Sequence, residues 1–347
     1  MNLQNKLYLN LLLLLLLYTT SYAYDKGQEQ AGLIPETEKS NILILANIDN
    51  YRPLLKFHKQ MLADLPSEVG AIIISRSDVF YKKHFNEDIN SERFKVIDIP
   101  NDSNWARDFF PEIVIDQNGK KKFVQFKYAS GKTANNVGES IAKLLDIPLE
   151  KSRLYLEGGN LLVDDEQQLF ITEKVFKWNT YHHKLSKKEI EYELKTILNI
   201  KKVHWLPILP HEKTSHVDIF MKYMGNDTML VADSQNPSRK KVLDEVAKTI
   251  SKNYRVVRIM NAEDSLNNAW TLSYTNSLIL NGIVYVPKYD DGTDEYTAQY
   301  AKFDEMAIKV YKDLGYQVIA IPIHDMMFNQ GAIHCLTKQL SLIGNSN

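Results

Sequence analysis

From residue 42 onward the chain alternates short runs rich in β-branched and aromatic residues with longer stretches of helical period. No other feature constrains the fold as strongly, because strands separated by helices pair side by side only through crossover connections. Strands are expected at residues 42–45, 71–74, 94–99, 112–115, 122–126, 160–163, 168–172, 229–232, 255–260, 277–280, 283–286 and 317–321. Helices are expected at 51–65, 138–145, 187–198, 239–250 and 296–314. Asn118-Gly119 and Asn281-Gly282 each stand between two expected strands, and Asn-Gly tolerates the positive φ angles of a tight hairpin. The fold class is therefore α/β, and the many short strands point to repeated units rather than one long doubly wound sheet. No Pro-, Gly- or Ser-rich linker divides residues 41–347, which are expected to form one domain.

The first residues have a different character. Lys6 precedes an apolar run over 7–18, and Ser21-Tyr22-Ala23 offers small residues where a signal peptidase reads them. Asn10 interrupts the run, which is shorter than the ~20 residues of a spanning helix. Residues 1–23 are expected to be a cleaved signal peptide, which makes the mature chain secreted or periplasmic with no stable membrane association. Residues 24–40 are polar and without periodicity, and read as a flexible lead-in. Loss of Lys6 with the leader takes the formal charge from −1 to −2, so there is no electrostatic reason to expect nucleic acid as a partner. A single cysteine, Cys335, cannot form a disulfide within the chain, so burial and hydrogen bonding must hold an exported fold together.

Five polar segments interrupt or abut expected strands. They are Trp105-Ala106-Arg107-Asp108, Leu156-Glu157-Gly158-Gly159-Asn160, Ser215-His216-Val217-Asp218, Ser273-Tyr274-Thr275-Asn276 and Ile333-His334-Cys335. On a strand, His216 and Asp218 face the same side, because the side-chain period is two. A metal is the first chemistry to consider, but no H-E-x-x-H, cysteine pair or EF-hand loop occurs, and no metal is expected. Cys335 with His216 makes a thiolate–imidazole pair, since a nearby base or cation lowers a thiol pKa. The papain-type C-G-x-C-W surroundings of a cysteine protease are absent. A planar guanidinium is the electrophile that gives several carboxylates a task beside a thiol, and Asp108 and Asp218 suit it. Taken singly, each residue also has a plainer reading. Cys335 is a small buried hydrophobe, Asp108 caps a turn, Asp218 orients His216, Glu157-Gly158-Gly159 is a tight turn, Trp105 is core, and Asn276 is a turn residue. The intervals weigh against those readings: 49 residues from Asp108 to Glu157, then 59 to His216, 60 to Asn276 and 59 to Cys335. Repeated supersecondary units, each sending one polar side chain to a shared place, produce such a rhythm.

In this order, W-x-R-D, L-E-G-G-N, H-V-D, S-Y-T-N followed by L-I-L-N-G, and G-x-I-H-C-x-T resemble the family of agmatine deiminases and Porphyromonas-type peptidylarginine deiminases. The likeness runs over residues 42–340. It implies a five-bladed, pseudo-fivefold α/β-propeller of ββαβ units with the site on its axis. It implies that Cys335 attacks the guanidinium carbon, that Asp108 and Asp218 hold the guanidinium nitrogens, and that His216 protonates departing ammonia and then activates water. A covalent thiouronium would resolve to a ureido product. Asn276 matches a further active-site position, Glu157 an acidic position at the site, and Trp105 a wall of the substrate pocket. No metal or organic cofactor is implied, and the partner is a small guanidino compound or an arginine-containing peptide. Two departures stand out. Phe328-Asn329-Gln330-Gly331 replaces a more glycine-rich run before I-H-C. In place of an arginine pair that grips a peptide's carboxylate, the chain has Tyr128-Ala129-Ser130-Gly131-Lys132, where Lys132 is the candidate contact. The competing functions are an amidinotransferase using the same cysteine and a non-catalytic guanidine-binding protein.

Overall fold

The computed structural model describes residues 31–47, 52–75, 78–85, 93–263, 271–290, 292, 295–323, 326 and 331–342. The expected signal peptide and residues 24–30 of the expected lead-in lie outside the described residues.

Among the described residues, the alternation seen in the sequence folds into five sheets with one pairing pattern, beside a two-stranded antiparallel pair, Ala262–Glu263 with Thr271–Leu272. In each of the five, a short strand runs antiparallel to a middle strand, and a helical crossover returns the chain to a third strand parallel to the middle one. The triplets are Glu112–Ile115, Lys121–Lys127 and Leu149–Tyr155; Leu162–Val163, Gln168–Thr172 and Lys202–Leu206; Met221–Tyr223, Thr228–Asp233 and Arg255–Met260; and Leu278–Leu280, Ile283–Lys288 and Gln317–Pro322. The remaining sheet joins the two ends of the described chain. Thr337–Leu340 pairs antiparallel with Ile42–Asn47, which pairs parallel with Gly70–Ser75 and through it with Phe94–Ile97. Middle strands such as Ile42–Asn47 and Gly70–Ser75 are buried along their whole length, as parallel strands covered on both faces must be.

The crossover helices carry recognisable start signals. Ser186 and Glu189 form a capping box for Lys187–Leu198, and Asn236 caps Pro237–Ile250 with Pro237 in its first turn. The Asn281-Gly282 hairpin has the expected two-residue loop, with φ of 51° and 83°. At Asn118-Gly119 only Gly119 has positive φ, and the loop is longer because Asp116 Oδ1 accepts from the N–H groups of Asn118 and Lys120.

Several expectations need correction. The helix expected at 296–314 is two, Glu295–Ala298 and Ala301–Asp313, and the strand expected from 94 stops at Ile97. Strands Leu149–Tyr155, Lys202–Leu206, Met221–Tyr223 and Thr337–Leu340, and helix Glu173–His183, had no clear sequence signal. The strand Leu149–Tyr155 (LEKSRLY) is a charged edge strand that exposes Glu150, Lys151 and Arg153, and its partner strand rather than its own composition makes it β. Residues 31–40 are not a free lead-in. Gly32–Leu33 pairs with Glu112–Ile115, and Gln167 satisfies both the N–H and the carbonyl of Leu33 at 2.9 and 2.8 Å. Asn281 likewise brackets Ser40 at 2.9 and 3.0 Å. The strap has no period because remote side chains satisfy its backbone, rather than its own secondary structure.

Every polar segment singled out in the sequence falls in the connection from one of these sheets to the short strand of the next; residues 105–108 follow the fourth strand, Phe94–Ile97, and residues 273–276 follow the two-stranded Ala262–Glu263/Thr271–Leu272 pair. Four of them form one short helical turn, at Ala106–Phe109, Gly158–Asn160, Val217–Ile219 and Ile333–Leu336. The rhythm of about 60 residues is thus the length of one sheet unit. The shorter first interval spans a unit crossed by Val137–Leu145 alone, where the next unit carries both Glu173–His183 and Lys187–Leu198.

Candidate active site

Glu157 and His216 are the residues at which the chain enters its short helical turns, and neither side chain caps its own turn. Both are therefore released toward the neighbouring connections. His216 Nε2 lies 2.7 Å from Glu157 Oε2, which also accepts from Lys174 Nζ at 2.6 Å. A carboxylate only accepts, so Nε2 carries a hydrogen and Nδ1 is the nitrogen left for chemistry. His216 Nδ1 stands 3.6 Å from Asp108 Oδ1 and has no hydrogen-bond partner among the described residues. Asp108 Oδ1 accepts from the Gly159 N–H at 3.0 Å.

The second half of the cluster surrounds the thiol. Cys335 is 2 % exposed; Asn276 Nδ2 donates to its Sγ at 3.1 Å, and Asp218 Oδ2 lies 3.6 Å from that sulfur. Asn276 Oδ1 accepts from the N–H groups of Ala332 and Cys335 at 3.1 and 3.3 Å, which holds the Cys335 turn in register with the 273–276 bend. Asp218 Oδ2 also accepts from His334 Nδ1 at 2.8 Å, whereas its Oδ1 is buried and unpartnered among the described residues. Asn160 ties the turns together, accepting from the N–H of Thr172 at 3.1 Å and that of Val217 at 3.2 Å.

Gly159 marks the point on which the polar groups converge. A Cβ there would stand 2.6 Å from His216 Nδ1, 2.8 Å from Asp108 Oδ1 and 3.0 Å from Asp218 Oδ2. No side chain fits at that position, which is the use of glycine where the backbone closely approaches a site. Gly331 plays the same part under Trp105, whose ring atom Cζ3 would be 2.4 Å from an added Cβ. A cavity of about 460 Å³ opens above, lined by Trp105, Asp108, Glu157, Lys174, His216 and Cys335, with Tyr128, Ser130, Lys177, Trp178 and Lys213 farther along its wall.

The electrostatics follow from burial. The Cys335 thiol is pushed well above its ordinary value by burial and by the Asp218 and Asp108 charges, against the pull of the Asn276 hydrogen bond. Burial also raises Glu157, but the His216 and Lys174 hydrogen bonds and charges overcome it and bring its pKa down to about 2. Burial lowers His216, yet Asp108 and Glu157 carry it above the usual imidazole range. Asp218 is held low against burial, first by His334 and then by His216 and Lys222. Asp108 is raised to about 6 by burial and by the Glu157 and Asp218 charges, against the opposing pull of His216.

That last shift sets a pH dependence. A carboxyl whose folded pKa lies above its unfolded value lowers stability when ionised, and the loss is relieved as pH falls through the folded value, here about 6. Binding a cation needs the opposite form. The kcat/KM of the free enzyme for a guanidinium substrate should therefore fall on the acid side with a midpoint near pH 6. A profile measured between about pH 5 and pH 8 checks it, and activity flat through that interval would remove Asp108 from cation binding.

Of the residues picked out in the sequence, Cys335, His216, Asp108, Asp218, Asn276, Glu157 and Trp105 come together here. Lys132 does not. It is exposed and does not line the cavity; its backbone N–H, like those of Thr133 and Ala134, donates to Asp102, at 2.8 Å for Lys132. The turn folds around Asp102, and Tyr128 and Ser130 of the same stretch face the cavity instead. Residues 328–330 lie outside the described residues. The sequence reading did not single out Lys174 or Trp178. Lys174 is the second residue of Glu173–His183, which starts at its Thr172 cap, and its Nζ stands 4.7 Å from the Trp178 ring centroid. A lysine two residues after a strand-ending threonine is too common a pattern to reveal this. Among the described residues there is no cluster of three or more side chains fit to hold a metal ion.

Residues 35–340 match the sequence model of the Porphyromonas-type peptidyl-arginine deiminase family. An agmatine deiminase of Pseudomonas putida is 27 % identical over 300 residues, covering 72 % of this chain and 78 % of its own length. In three dimensions the chain resembles the C. jejuni agmatine deiminase with a TM-score of 0.75 at 20 % identity, over 93 % of this chain and 99 % of the other. It also resembles the agmatine deiminase of Enterococcus faecalis with a TM-score of 0.73 at 18 % identity, over 89 % and 95 % of the two chains. At these identities the structural likeness speaks for the α/β fold.

Proposed function

The chain belongs to the Porphyromonas-type peptidyl-arginine deiminase family, and on that premise we propose that it hydrolyses the guanidino group of its substrate to a ureido group and ammonia, with Cys335 as nucleophile. The observation that carries this reading is the convergence of His216 Nδ1, Asp108 Oδ1 and Asp218 Oδ2 over Gly159, with His216 Nδ1 and the other Asp218 oxygen, Oδ1, buried and unsatisfied among the described residues. Buried polar atoms are rarely left unpaired. A planar cation with several N–H donors, lying between Asp108 and Asp218, satisfies the carboxylates and sets its central carbon beside Sγ.

In this reading the substrate's own charge completes the nucleophile. The free site holds a neutral thiol among uncompensated carboxylates; an arriving guanidinium offsets them and the thiol loses its proton to solvent, while His216, held above the usual imidazole range, already carries one. The Cys335 thiolate then forms an S–C bond to the guanidinium carbon. His216 Nδ1 gives its proton to the departing nitrogen, the C–N bond breaks and ammonia leaves, which produces the thiouronium. His216, now neutral, takes a proton from water, and the resulting hydroxide adds to the same carbon. The thiolate departs with the bonding pair, the hydroxyl proton goes to the released ammonia, and the ureido product is free. Asn276 Nδ2 steadies the thiolate, and Glu157 with Lys174 holds the imidazole in position.

The five sheets of one pairing pattern, each contributing a connection to the site, support a five-bladed propeller around a common axis. The apolar leader supports export of the mature domain, residues 24–347, after cleavage at Ala23. Lys177 and Lys213 in the lining of the cavity support a substrate whose tail carries a carboxylate, such as arginine or a peptide ending in arginine, over agmatine, whose tail is cationic.

A panel of agmatine, free arginine and peptides with internal or C-terminal arginine tests the function. Ureido product with stoichiometric ammonia is expected, with kcat/KM for the carboxylate-bearing substrates higher by roughly tenfold, equivalent to ~1.4 kcal/mol. The Lys177→Glu, Lys213→Glu double variant should reverse that preference. A guanidine transferred to an added amine without ureido product would establish an amidinotransferase, and tight agmatine binding without turnover a binding protein.

A further inference from the structure

Glu36 lies in the strap of residues 31–40, before the first strand of any five-sheet triplet, yet its side chain reaches the rear of the catalytic cluster. Its Oε1 accepts from the Ile279 N–H at 2.7 Å, and its Oε2 accepts from Lys222 Nζ at 2.6 Å and faces His334 Nε2 at 3.2 Å. The other nitrogen of His334 donates to Asp218 Oδ2 at 2.8 Å. The Glu36, Lys222, His334 and Asp218 side chains are at most 10 % exposed. They share a small cavity of about 60 Å³ that also touches Arg107, whereas Cys335 and His216 line the large one. Asp218 lines the small cavity and reaches the thiol: its Oδ2 accepts from His334 and lies 3.6 Å from Cys335 Sγ, and its Oδ1 is unsatisfied among the described residues.

A carboxylate can rotate about its terminal torsion at little cost, because that torsion is broad and roughly two-fold. What prevents Asp218 from turning is the imidazole behind it. An imidazole bonded through one nitrogen can itself swing, whereas one held between carboxylates at both nitrogens cannot. We propose that Glu36 is a positioning residue that acts through His334 to fix the Asp218 carboxylate beside the thiol for the substrate cation, so that the docked N-terminal strap is a component of the active site. The inference rests on the function proposed above. Lys222 offsets the second carboxylate of the relay, and the Arg107 Nε–H donates to the His334 carbonyl at 3.3 Å, which fixes the imidazole's backbone as well. The sequence conceals this role, since residues before the first strand look like a polar tail.

Two small electrophiles separate positioning from simple stability. Both alkylate Cys335, one as a cation (2-chloroacetamidine) and one neutral (iodoacetamide). In each the S–C bond forms, halide leaves and the thiol proton goes to solvent. In Glu36→Gln the rate of inactivation by chloroacetamidine should fall by about tenfold or more while the iodoacetamide rate holds within roughly twofold, and Glu36→Asp should recover part of the loss. Turnover should show the same change as a raised KM with a smaller change in kcat. If Glu36→Gln unfolds because Lys222 is left unpaired, the Glu36→Gln, Lys222→Met double variant removes both charges and should show the same selective loss. Equal slowing of both electrophiles, or no slowing of either, in whichever of the two variants folds would overturn the positioning role. Absence of any advantage for the cation in the unmodified protein would instead overturn the underlying reading of the site.

Discussion

Replacement of Cys335 by alanine should abolish ammonia release from every guanidino substrate and leave a folded protein. The loss should be on the order of 10⁶-fold, the scale seen when the nucleophile of a covalent mechanism is removed. The fold should tolerate the change. The side chain is small, and the turn around it is held by Asn276 Oδ1 through the backbone N–H groups of Ala332 and Cys335, which alanine retains. The hydrogen bonds lost are the one from Asn276 Nδ2 to Sγ and the long one from Sγ to Asp218 Oδ2, each worth about 1 kcal/mol or less. The variant should also bind substrate, because Asp108 and Asp218 remain; removal of the thiol leaves both carboxylates to meet the cation. Parallel measurement of ammonia, ureido product and the melting curve decides the matter. Residual turnover near the unmodified rate would exclude covalent catalysis at this residue, and a collapsed melting curve would make Cys335 structural.

Replacement of His216 by alanine should cost about 10³- to 10⁴-fold in kcat, because one imidazole serves as acid in the first half-reaction and as base in the second. Its effect differs in kind from that of Cys335, since the nucleophile is still present. A substrate analogue whose leaving group needs no proton exposes the difference. With an S-alkylisothiourea, Cys335 forms the S–C bond and an alkylthiolate departs with the electron pair, so the missing acid matters little. The missing base still matters, and the His216→Ala protein should accumulate the Cys335 adduct, visible as a mass increase of the intact chain. The unmodified protein should turn the analogue over without accumulation. Absence of an adduct in the variant would mean that His216 is needed to generate the thiolate itself. Glu157 and Lys174 remain paired at 2.6 Å without the imidazole, so the buried charge pair survives the substitution.

Much of the site was legible because its residues fall in short, unusual runs. Cys335, His216, Asp108, Asp218, Glu157 and Asn276 each stand where a strand breaks off, and their intervals report the length of the repeated unit. Lys132 was misjudged for a local reason. A lysine near a sequence motif is not a lysine near a site, and the Asp102 side chain turns its segment outward. The strand Leu149–Tyr155 escaped notice because a charged edge carries no hydrophobic alternation, and Glu173–His183 because its apolar face is interrupted by Asn179, whose side chain serves the backbone of Tyr155 at 2.9 Å on both sides.

Local chemistry written along the chain was enough to specify the α/β class, most strands and crossover helices, and the order of the polar connections. Period and turn residues act over a few neighbours and can be read without a fold. The pairing of the last strand with the first, the capture of Glu157 by Lys174, the relay from Glu36 to Asp218 and the depth at which the thiol sits were set by packing. These contacts join residues that are tens to hundreds of positions apart, such as the 241 that separate Ser40 from Asn281. No local rule selects such partners. They are chosen by which buried donors and acceptors remain to be satisfied once the sheets close, and that closure also set the lone cysteine, Cys335, beside Asn276 and Asp218.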